Sequence, residues 1–241
     1  MINNLEQDED SIHSQQDRAY ARLREDILAG ELLPLSKLHI SNLRRRYETS
    51  VGPIREALSR LSGEGLVNKR GQRGHWVAPV SLEEMRDVTR LRVMLEADAL
   101  RESIRRGDLE WEAQIVGAMH RLRSVHSAAW DDPKALARAV EKENREFHTA
   151  LISRCPSRWQ LRFIGTLYDQ TARYRRLSVM SRPEQMDPRQ EGHREIMEAA
   201  LARDADSACD RLKVHIEAAA ESITRAVFSA PQTPGPDASK S

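Results

Sequence analysis

Three of the eight histidines, His148, His193 and His215, have neighbours that set them apart. Each falls on the apolar stripe of a different predicted helix. Val140, Asn144, His148 and Leu151 follow one face. His193 shares its face with Ile196, Met197 and Ala200, and His215 lies with Leu212, Ala219 and Ile223. A lone histidine on such a stripe is ordinarily a packed core or pocket residue. Three that converge are a donor set for a divalent first-row metal, and a helical bundle gathers ligands from facing helices. Hydrolysis at such a metal would need a general base beside the bound water. The chain has neither an H-E-x-x-H motif nor a nucleophile motif, so sensing is expected rather than catalysis.

A second constellation lies near the N-terminus, in "TSVGPIREALSRLSGEGLV". A tight turn leads into a short amphipathic helix whose inner stripe is Ile54, Ala57, Leu58 and Leu61. Such a helix fits the major groove, with the residues of its N-terminal end at the base edges. Here those are Ser50, Val51, Gly52, Pro53 and Arg55. Arg44, Arg45 and Arg46 precede them. A basic turn, "KRGQRGHWV", follows, with Arg70, Gln72 and Arg73 at its tip. Each arginine taken singly is a solvated surface residue; turn, short helix and basic hairpin together point to double-stranded DNA.

These residues need two kinds of scaffold. Residues 1–13 read as a disordered tail. Ala19, Tyr20, Leu23, Ile27 and Leu28 recur at helical spacing and predict a helix over 16–29, stopped by Gly30 and Pro34. Helices over 40–47 and 53–62 follow. Short strands at 66–69 and 75–77 then flank "GQRG", where a hairpin turn calls for positive φ. The unit at 14–79 is a winged helix-turn-helix. After the linker "APVS", Ser81 and Glu84 have capping-box spacing. Residues 80–228 then read as an antiparallel bundle of about six helices, interrupted by Gly107, "DDP", "CPS" and the loop "SRPEQMDP". A Pro/Ser-rich tail, 229–241, reads as disordered. The fold class is mainly α.

Bulk properties agree. With 241 residues and 39% hydrophobic content the chain can build two cores. Its net charge of +1 hides an asymmetry: residues 11–79 carry twelve Lys and Arg against seven Asp and Glu, whereas residues 80–241 balance at 26 of each. A basic excess confined to the reading unit fits a polyanion partner. Cys155 and Cys209 form no C-x-x-C motif and suit a reducing cytoplasm. The acidic N-terminus is no signal peptide, and no apolar run has membrane-spanning length.

"PIREALSRLSGEGLV" and "GQRGHWVAPVS" resemble the winged-helix signature of GntR-type bacterial transcription regulators. "LRVMLEADAL", "FHTAL", "GHREIMEAALARDADSA" and "VHIEAA" resemble the FCD effector domain of the FadR-like branch, and within it the carbon-starvation-induced subgroup. The resemblance covers residues 15–228. It implies a homodimer on a near-palindromic operator, most often a repressor. It also implies a small carboxylate effector, such as a dicarboxylate, at a Zn or Ni site. Its metal pattern is an Asp or Asn four residues before a His, then two His twenty-two apart; Asn144, His148, His193 and His215 match it. Asn in place of Asp makes Asn144 a neutral oxygen ligand or none. Arg92 matches the family's inward-pointing arginine. Its partner is the effector carboxylate, or else Glu96, four residues on, or another acid of the bundle. Tyr174 and Arg175 are further pocket candidates. The family form before the proline is Val-Ser-Arg-Thr; this chain has Val51 where that arginine stands, trading a polar base contact for a thymine-methyl contact. A metal-stabilised or constitutive DNA-binding protein without effector remains the alternative.

Overall fold

The computed structural model describes residues 2–181 and 190–228. The expected tail 229–241 and, apart from Ser181, the expected loop "SRPEQMDP" therefore lie outside the described residues. The N-terminal unit opens with helix α1 (Ile2–Leu28). A disordered tail over 1–13 was expected, but the helical backbone extends through it. No glycine or proline occurs before Gly30, so nothing local breaks the helix.

Strand β1 (Lys37–Leu38), α2 (Ile40–Tyr47), α3 (Val51–Gly63), β2 (Val67–Lys69) and β3 (His75–Val77) follow. The three strands form an antiparallel sheet in the order β1-β3-β2. Lys37 pairs with Trp76, and Lys69 pairs with His75. A two-residue strand carries no periodic signal, which is why β1 was not predicted. Gly71 and Gly74, at the two ends of the wing turn, both have positive φ (53° and 107°), as the hairpin requires. Leu23, Ile54, Leu58, Leu61 and Leu66, all fully buried, form the centre of this unit.

Helices α4 (Leu82–Arg106), α5 (Leu109–Ser127), α6 (Pro133–Leu151), α7 (Arg158–Ser181), α8 (Gln190–Leu201) and α9 (Ala205–Phe228) make the expected six-helix bundle. The Ser81 side chain caps α4 by accepting from Glu84 N (3.0 Å). The reciprocal half of the capping box does not form: the Tyr174 hydroxyl accepts from Ser81 N at 3.1 Å and itself donates to the Glu84 carboxylate. Gly107 ends α4, and Asp108 caps α5 through Trp111 N (2.9 Å). A Cβ on Gly107 would lie 2.2 Å from the Trp111 ring, so the glycine also admits the largest fully buried side chain of the core. Trp111 shares that core with Leu100, Ile115, Leu122, Phe147, Leu151, Ile196 and Leu212.

The two units are joined by more than the linker. Ala172 of α7 is buried in the core of the N-terminal unit. Arg173 donates to the carbonyls of Ala78 and Pro79 (3.4 Å each), and Gln170 Nε2 donates to Glu64 O at 2.7 Å.

Candidate metal and DNA-binding sites

His148 comes from α6, His193 from α8 and His215 from α9. All three are buried. One ring nitrogen from each lies within 4.8 Å of the others, and the His193 and His215 centroids are 4.2 Å apart. The sequence-predicted trio therefore does converge. Gly192 makes room for it: a Cβ there would lie 2.8 Å from His215 Nδ1. That glycine was not singled out from the sequence, although it stands directly before His193.

Glu96 lies behind His148, with its Oε2 3.6 Å from His148 Nδ1 and its Oε1 accepting from Arg92 Nε at 2.6 Å. Burial works to raise the Glu96 carboxyl, but Arg92 and His148 outweigh it and hold it at about 2. Burial pushes His148 below the usual imidazole range, although Glu96 draws the other way. A neutral imidazole backed by a carboxylate on one nitrogen can offer its other nitrogen to a metal. The donor set thus fits a divalent transition metal.

The cavity beside the histidines has a volume of about 70 Å³ and includes Arg92, His126, Glu141, Asn144, Arg175 and Arg176 in its lining. A single water needs at least roughly 10–15 Å³ of such space, so the cavity has room for more than one water or for a small anion. Arg92 and Arg175 line it as expected, but both are already paired. Arg92 also donates to Thr171 Oγ1 (3.2 Å), and Arg175 makes a two-pronged pair with Glu141 (2.6 and 2.8 Å). Burial would lower the Arg175 guanidinium, and Glu141 outweighs it and raises it. Asn144 Nδ2 donates to the Tyr168 hydroxyl at 2.5 Å, and the Tyr168 ring lies under Arg92 (5.0 Å) and Arg175 (4.2 Å). Sequence reasoning missed Glu141 and Tyr168. Extending the Asn144–His148 stripe back by one turn would have reached Glu141.

Tyr174 does not belong to this cavity. Its ring is buried with Met85 and Ile223, and its hydroxyl serves the α4 cap. The helical turn that points Arg175 at the cavity carries Tyr174 toward the linker instead.

On the N-terminal unit, Ser50 precedes α3 as its N-cap and Val51 and Gly52 are its first residues, so the helix begins two residues earlier than predicted. Ser50, Gly52 and Arg55 are exposed, and Val51 is half-buried. A Cβ on Gly52 would meet nothing within 4 Å, so no intramolecular contact demands glycine there; its effect is to keep the helix start bare. Two of the residues expected to contact DNA are engaged within the protein. Pro53 is buried in the core. Arg46 turns back to α1 and pairs with Asp26 at 2.7 Å, because that carboxylate also accepts from the buried Tyr47 hydroxyl. Arg44 and Arg45 remain exposed on α2, Arg45 bonded to Asn42 (2.8 Å). Arg70, Gln72 and Arg73 are exposed on the wing. Arg70 and Lys37 sit over the Trp76 ring at 5.1 and 5.3 Å. Trp76 and Lys37 escaped sequence reasoning because the sheet pairing that joins them depends on β1.

Two family models match the two units. Residues 15–77 match "Bacterial regulatory proteins, gntR family", and residues 87–218 match the FCD domain. The chain belongs to the GntR family. This GntR-family protein is 44% identical over 207 residues to the uncharacterized HTH-type transcriptional regulator BphR of Paraburkholderia xenovorans, covering 86% of this chain and 84% of BphR. It is 35% identical to the HTH-type transcriptional repressor GlaR of Escherichia coli, over 82% of this chain and 90% of GlaR. A solved structure described as E. coli McbR/YncC has the same fold, with a TM-score of 0.74 at 18% identity over 88% and 97% of the two chains. The protein is a DNA-binding transcription regulator with an FCD domain, not an enzyme. Among the described residues, no helix is long and apolar enough to cross a membrane.

Proposed function

We propose that this regulator is a homodimeric repressor that places two winged heads on a near-palindromic operator. A small carboxylate, bound beside a Zn or Ni ion in the FCD cavity, sets its operator affinity. The observation that carries this reading is the convergence of His148, His193 and His215 on a cavity walled by Arg92 and Arg175. The two units are 14–79 for reading and 80–228 for sensing and dimerisation. On the reading unit, Ser50, Val51, Gly52 and Arg55 face bases. Arg44, Arg45, Arg70, Gln72 and Arg73 face phosphates or the adjacent groove.

In the sensing unit the three imidazoles hold the ion, and the Asn144 amide oxygen adds a neutral ligand once its nitrogen is committed to Tyr168. The metal supplies a charge and open positions for an anion. Arg92 and Arg175 orient that anion. The repressor assignment follows GlaR and a second E. coli relative, RspR, 28% identical, both named as repressors.

The pairing of both arginines with Glu96 and Glu141 favours a second reading, a constitutive regulator whose histidines bind metal without an effector. A thermal-shift screen of small carboxylates, with and without Zn and Ni, separates the two. The sensing account expects metal-dependent stabilisation by at least one carboxylate of a few carbons. Stabilisation by metal alone, with no carboxylate effect, selects the constitutive reading. No shift with either removes the metal site.

A further inference from the structure

Arg176 belongs to two places at once. It lines the histidine cavity, and its Nη1 donates to Glu25 Oε1 of α1 at 2.9 Å. The side chain is 9% exposed, whereas Glu25 is 49% exposed. The Arg176 Nε is buried and, among the described residues, has no hydrogen-bond partner. Arg92 and Arg175 differ: each has its Nε bonded to a carboxylate of the bundle, buried Glu96 for Arg92 and part-buried Glu141 for Arg175. Arg176 therefore lines the cavity with one buried donor still unused, and its counter-ion belongs to the DNA-reading unit. A buried guanidinium donor without an acceptor is costly, and a carboxylate that reaches it satisfies the group that a half-exposed glutamate satisfies only in part.

We propose that Arg176 is the switch residue of this regulator: an anionic effector entering the cavity takes the Arg176 guanidinium, and α1 loses its Glu25 tether to α7. The inference rests on the carboxylate-pocket reading above and deepens it. The exchange is between two carboxylates for one guanidinium, so no charge is left buried and unpaired at any point. Its consequence falls on α1, which packs against the reading helix α3 through Leu23 and Ile27. Coupling is reciprocal: whatever weakens the Glu25 contact must strengthen carboxylate binding by the same factor.

The test uses the full-length protein saturated with zinc and titrated calorimetrically with acetate, succinate and citrate. Three variants are compared with wild type. Glu25→Gln removes the competing carboxylate from a half-exposed site and leaves the cavity intact. Arg176→Gln removes the shared group. Glu31→Gln breaks a different contact between the two units, the pair with Lys134 (2.8 Å), and controls for general loosening.

The expected result is that Glu25→Gln tightens the best-bound carboxylate about two- to fivefold, the worth of a partly exposed ion pair. Arg176→Gln weakens it about tenfold, and Glu31→Gln leaves it unchanged. Hydrogen exchange supplies a second readout. Carboxylate accelerates exchange of the α1 amides over 16–28 in wild type, and in Glu25→Gln they exchange fast from the start. Carboxylate binding that is equal in wild type, Glu25→Gln and Glu31→Gln overturns the switch but leaves the pocket standing. If none of the three carboxylates binds either wild type or Glu25→Gln, the pocket reading fails and the switch fails with it.

Discussion

Gly192 illustrates how little separates a metal site from a packed histidine cluster. Its missing Cβ is what lets the His215 ring sit 2.8 Å from that position. Gly192→Ala forces either α8 or the ring to move, without deleting any ligand. We expect the fold to survive, because alanine is a better helix former than glycine, while zinc affinity falls at least tenfold by competition with a chelating dye. Unchanged affinity would mean that His215 is not a ligand.

At this scale the sequence was informative where a periodic stripe carried the signal. His148, His193 and His215 were legible because each follows the apolar face of its helix. The partners of Arg92 and Arg175 were legible only in part. Glu96 sits four residues from Arg92 on one helix, but the Arg175–Glu141 pair joins α7 to α6, and spacing within one helix cannot reveal a contact between two. The Arg46–Asp26 pair is hidden from the sequence for the same reason, since Asp26 lies on another helix.

At the scale of elements, α7 holds the two units together. Arg175 and Arg176 line the cavity, Tyr168 and Thr171 contact the cavity arginines Arg92 and Arg175, and Ala172, Arg173 and Arg176 grip the reading unit. The sequence presented α7 as an ordinary bundle helix, because its docking side is one alanine among polar residues rather than an apolar stripe. The boundary at Gly107 was legible as a helix stop, but its packing role was not. Gly107→Ala brings a methyl within 2.2 Å of Trp111. Overpacking of that kind costs roughly 1–3 kcal/mol. A melting temperature lower by several degrees is therefore expected, with metal content retained. An unchanged melting temperature would show that Trp111 does not rest on this glycine.

At the scale of the whole molecule, the winged unit and the bundle were predicted nearly in full, because glycine and proline punctuation marks most of their elements. The exceptions are β1, whose two residues carry no periodic signal, and the first half of α1, where punctuation is absent. The reading of DNA is expected to depend on the start of α3, and on Arg55 in particular. Arg55→Ala leaves the protein folded and dimeric by light scattering. It also weakens binding to an operator selected in vitro at least tenfold, since each lost base contact is worth about 1–3 kcal/mol. A variant with full affinity would displace the recognition surface from the start of α3. Because Val51 stands in the reading position next to it, the selected operator is expected to favour thymine at the corresponding base.

Everything proposed for the sensing unit depends on one ion. Elemental analysis of the purified protein, before and after dialysis against a chelator and zinc reloading, addresses it directly. The account predicts about one divalent transition metal per protomer, removed by the chelator, restored by zinc, and absent from His193→Ala. A protein that carries no metal and takes up none on reloading would contradict it.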